Sequence, residues 1–71
     1  MVTATITKFI DGYNSIEIIY QPNHLININY ARIKLDAPLS EVQFFSMAGM
    51  PLALIHDAET YQAVIKAMKE D

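Results

Sequence analysis

The sequence predicts an α+β domain: an antiparallel β-meander of three to five strands, opening with a β-hairpin, packed on one C-terminal α-helix. Three observations predict it. Apolar and polar residues alternate with period two from Val2 to Ile10 and again from Ile26 to Tyr30, Asp11-Gly12 supplies hairpin-turn chemistry, and from Asp57 onward the apolar spacing becomes helical. A chain of 71 residues holds a single domain, here spanning 1–71.

The first strand places Val2, Ala4 and Ile6 on one side and Thr3, Thr5 and Thr7 on the other, as a half-buried strand does. "DGYNS", Asp11 to Ser15, is rich in turn formers, and the β-branched and aromatic run "IEIIYQ" that follows should fold back as its hairpin partner. Pro22 has no N–H to give a ladder and ends that strand. A third strand runs from Leu25 to Leu35. Its apolar phase changes between Tyr30 and Ile33, which a bulge near Ala31 and Arg32 would reconcile.

Residues 40–55 admit two readings. "EVQFFS" and "LALI" form two strands around an Ala-Gly-Met-Pro loop, or "PLSEVQFFSMA" forms a helix stopped by Gly49 and Pro51. Val42, Phe44 and Phe45 favour strands. The terminal helix starts at Asp57, a good N-cap, or at Pro51 in a longer version. Its apolar stripe is Tyr61, Val64, Ile65 and Met68. With Val2, Ile6, Ile18 and Ile28, these residues are the expected core.

Composition narrows the function. With no cysteine there is no disulfide, thiolate metal site or cysteine nucleophile. Folding a chain this short buries only about 60% of the surface the unfolded chain exposes, yet 52% of its residues are hydrophobic. The start, "MVTATITKFI", lacks signal-peptide features, and no apolar run approaches the roughly 18 residues of a membrane span. A cytoplasmic protein without membrane association is expected. Five basic against eight acidic residues give a net charge of −3, which disfavours a nucleic-acid partner.

No catalytic arrangement stands out. "HDAE" places His56 beside Asp57, but Asp57 reads as a helix cap and the other histidine, His24, is remote in sequence. Ser15, Ser40 and Ser46 lack a nucleophile-elbow context, and Gly12 and Gly49 form no phosphate loop. The expectation is a non-enzyme with no metal and no cofactor.

What remains is a protein-binding module. Phe44, Phe45, Met47 and Met50 cluster within a few residues, and adjacent Phe44 and Phe45 in a strand must point to opposite faces. Asn27 and Asn29, opposite Ile26, Ile28 and Tyr30, would add a polar contact face. These six residues are the expected partner-binding set. Too few elements cover too much apolar surface, so the chain is expected to form a homodimer, by an apolar face or by joined edge strands, and to bind another protein. Compact acidic chains of this size also suit an inhibitor or adaptor role, as in mobile genetic elements. The alternative is a single-stranded nucleic-acid binder whose sheet offers Tyr30 for stacking and Arg32 and Lys34 for phosphates.

Overall fold

The computed structural model describes residues 1–9 and 11–70. Six strands precede one helix: β1 (Val2–Lys8), β2 (Asn14–Tyr20), β3 (His24–Tyr30), β4 (Arg32–Asp36), β5 (Glu41–Phe45), β6 (Pro51–His56) and α1 (Ala58–Lys69). The strands form two antiparallel three-stranded meanders, β1-β2-β3 and β4-β5-β6. The architecture is α+β, with one more strand than the upper expectation.

The β1–β2 turn uses Asp11 (φ 67°) and Gly12 (φ 80°), the positive φ values for which Asp-Gly is suited. Register then pairs Ala4 with Ile18 and Ile6 with Ile16 on the inner face. The expected continuous third strand is instead two strands in different sheets. Between them Ala31 turns the corner, its N–H donating to the Phe45 carbonyl at 2.9 Å. The change of phase between Tyr30 and Ile33 is therefore a change of sheet, which lets both residues face one core.

Residues 41–45 and 51–56 are strands, and the helix starts after Asp57. Asp57 Oδ2 accepts from the Thr60 N–H at 2.9 Å and from the Thr60 hydroxyl at 2.7 Å, closing the first turn. Glu59 lies in that turn, while Lys66 and Lys69 lie in the last, each sign matched to the helix dipole.

The core joins Ile16, Ile18 and Tyr30 from the first sheet, Val42 and Phe44 from the second, and Tyr61 and Val64 from the helix. Burying each large side chain contributes about 1.5–3 kcal/mol. Of the expected core, Ile18, Tyr61 and Val64 are buried, while Val2, Ile6, Ile28 and Ile65 pack at its margin. Met68 is corrected to the surface, being 39% exposed. The helix is rolled so that Thr60 and Ala67 go in instead. Ala4 and Ala67 line one cleft and Ala4 and Ala63 another, so small side chains hold α1 close along β1.

Candidate functional site

Because both sheets turn their apolar faces to a common core, their outer faces look away from each other. On the first sheet the outer rows are Thr3–Ile19–Leu25, Thr5–Glu17–Asn27 and Thr7–Ser15–Asn29. Asn27 and Asn29 are both exposed there. The Ser15 hydroxyl donates to Asn27 Oδ1 across the strands at 3.4 Å, so one amide is held by its neighbour. This face is polar apart from Ile19 and Leu25.

The outer face of the second sheet is built differently. Its rows are Arg32–Phe45–Pro51, Lys34–Gln43–Leu54 and Asp36–Glu41–His56. A register shift after Phe44 leaves Leu52 as an extra residue on β6, and Leu52 and Leu54 are 47% and 55% exposed. Phe45 is half-buried beside them, and Met50, 65% exposed, immediately precedes β6. Arg32 and Lys34 project along the far strand, lining with Ile33, Phe45 and Gly49 a shallow cleft of about 310 Å³. At the other end His56 Nδ1 lies 3.7 Å from Glu41 Oε2. The face is thus apolar on β6 and charged on β4.

The structure divides the residues singled out from the sequence. Phe44 is fully buried and Tyr30 is 4% exposed, their ring centroids 5.2 Å apart in the core. Neither ring is available to a partner, so Phe44 leaves the protein-binding set and Tyr30 leaves the nucleic-acid set. Met47 sits on the β5–β6 loop, where its N–H donates to Tyr13 Oη at 3.4 Å and its side chain lies against the β1–β2 turn at Gly12. Met50 ends that loop, its N–H donating to Ser46 Oγ at 3.1 Å, whereas Asn27 and Asn29 belong to the outer face of the first sheet.

No family model, curated protein or solved structure matches the chain.

Leu52 and Leu54 were missed by the sequence reading. In "PLALIH" every residue from Leu52 to Ile55 is apolar, so the period-two signal is silent about which side faces out. The smaller Ala53 and the β-branched Ile55 face the core, and the leucines face solvent. Asp57 is a structural cap: the Thr60 hydroxyl and then the Thr60 N–H hold its carboxyl below the ordinary range, with His56 adding a smaller pull and burial opposing it. Among the described residues no three His, Cys, Asp or Glu side chains gather as a metal site needs. Among the described residues no helix is long and apolar enough to cross a membrane.

Proposed function

We propose that this chain is a non-catalytic protein-binding module that works as a homodimer, pairing through the β6 side of its second sheet. The observation that carries the reading is the exposed pair Leu52 and Leu54, 47% and 55% exposed on the outer side of β6, with the half-buried Phe45 beside them on β5. Such a cluster of large apolar side chains, rimmed by the polar Gln43 and the charged Arg32 and Lys34, has the composition of an interface centre with its rim. Pairing supplies the burial that a small, cysteine-free core lacks. A paired module leaves the amide-rich outer face of the first sheet, with Asn27 and Asn29, open to a further protein, which suits an adaptor or inhibitor. Light scattering at micromolar concentration tests the pairing: a mass near twice 8.0 kDa supports it, and a constant 8.0 kDa species rejects it.

A second reading has its own observation. Arg32, Lys34 and Phe45 line one cleft, two cations beside an aromatic edge, which is the chemistry of a single-stranded nucleic-acid contact with Phe45 in place of Tyr30. Asp36 and Glu41 on the same face and the net charge of −3 oppose it. Fluorescence anisotropy of a labelled oligonucleotide decides this reading. Micromolar binding that weakens steeply with salt and is lost in Arg32→Ala/Lys34→Ala favours nucleic acid, and absence of binding at low salt removes it.

A further inference from the structure

We infer that two copies join by antiparallel pairing of their β6 edges about a two-fold axis at Ala53, making one continuous six-stranded sheet. This rests on the pairing proposed above and names its geometry.

The four strands that end the two sheets differ in how they are protected. The helix runs along β1, whose Ala4 shares clefts with Ala63 and Ala67. Strand β4 carries a charged side chain at every second position, Arg32, Lys34 and Asp36, a pattern that resists strand addition. On β3 the exposed outward side chains include the amides Asn27 and Asn29, so a strand added there would gain no apolar cross-strand pair at those positions. From Leu52 to Ile55, β6 has neither charge nor amide.

Backbone direction supports the same edge. The Asp57 N–H donates to the Ser40 carbonyl at 3.2 Å, so the backbone groups of Asp57 face β5. Alternation along the strand then turns the N–H and C=O of Leu54 to the open side, and the C=O of Leu52, anti to the inward N–H of Ala53, faces the same way. Pro51 has no N–H, and together with the extra residue at Leu52 it ends the pairable stretch. Within that limit, a two-fold axis at Ala53 sets Leu52 opposite the partner's Leu54, and the reverse. Both leucine pairs then cover each other on the outer face, where each is half exposed in the single chain. Arg32 and Lys34 end on the two outer strands of the joined sheet, five strand spacings or roughly 24 Å apart, so like charges do not meet.

Amide hydrogen exchange on the unmodified protein tests the geometry, with sedimentation equilibrium run on the same sample. In a dimeric sample the Leu54 N–H is expected to exchange at least about 100-fold more slowly than an open edge amide, and His56 N–H, beyond the paired stretch, is expected to remain fast. Dilution that dissociates the dimer should release Leu54. A dimeric sample in which Leu54 exchanges as an open amide overturns the edge geometry and leaves the pairing reading standing. Protection at both Leu54 and His56 moves the axis and overturns the Ala53 register. A sample that stays monomeric overturns both the pairing and its geometry.

Discussion

The Tyr20 hydroxyl lies 2.8 Å from Thr60 Oγ1, tying the end of β2 to the first turn of the helix. Thr60 has one hydroxyl proton and gives it to Asp57, so Tyr20 is the donor to Thr60. A sheet residue, a fully buried threonine and the helix cap form one chain of hydrogen bonds.

Tyr20→Phe removes the first donor and leaves the cap intact, for an expected loss of about 1 kcal/mol. Thr60→Val removes the centre of the chain, leaving Tyr20 without its acceptor, and is expected to cost about 1–3 kcal/mol. Urea denaturation of both single variants and the double variant checks this. The double variant should lose less than the sum of the two, since one hydrogen bond is counted in each.

Asp57 supplies a pH dependence of known sign. Its carboxyl is held below the ordinary range in the folded chain, so folding favours the ionised form. That stabilisation is complete above the unfolded carboxyl value of about 4 and is lost as pH falls through the lower folded value. Asp57→Asn keeps a capping side chain without the titration. Its stability should therefore fall less steeply than that of the parent below about pH 4, and parallel acid limbs in thermal melts would contradict the assignment.

Adjacent phenylalanines should behave oppositely. Phe44 is fully buried, and Phe44→Ala should cost about 3–5 kcal/mol, a large part of what a small domain has. Phe45 is half-buried on the outer face, so Phe45→Ala should cost much less in the single chain and show its main effect as weaker pairing. Denaturation measured at two protein concentrations separates these, because only a change in pairing depends on concentration.

The helix makes a related comparison. Val64→Ala removes a fully buried side chain and should cost about 2 kcal/mol, whereas Met68→Ala, at an exposed position, should cost under about 1 kcal/mol. Equal losses in urea would mean that the helix is rolled toward the Met68 side.

Those positions also show what the sequence could tell. Strong alternation in β1, the Asp-Gly turn and the Asp57 cap are local signals, and each corresponds to an element of the fold. The helix stripe was read from hydrophobicity, which gives little weight to Ala67 or Thr60. Yet Ala67 goes in because small side chains let α1 approach β1, and Thr60 goes in because Tyr20 and Asp57 satisfy its hydroxyl. The phase change near Ala31 was visible, but a bulge and a change of sheet produce the same pattern in one strand. On the candidate surface, alternation separated Phe44 from Phe45 without saying which faced the core. Leu52 and Leu54 were hidden inside an apolar run.

The proposed pairing rests on the β6 side of the second sheet. Sedimentation equilibrium of the parent and of Leu54→Lys, with far-ultraviolet circular dichroism to confirm that both are folded, tests it most directly. Leu54 is 55% exposed, so a lysine there adds a charge at the surface without opening the core. The parent should have a mass near twice 8.0 kDa and the variant close to 8.0 kDa, with the same spectrum. Equal masses for the two folded proteins would contradict the claim.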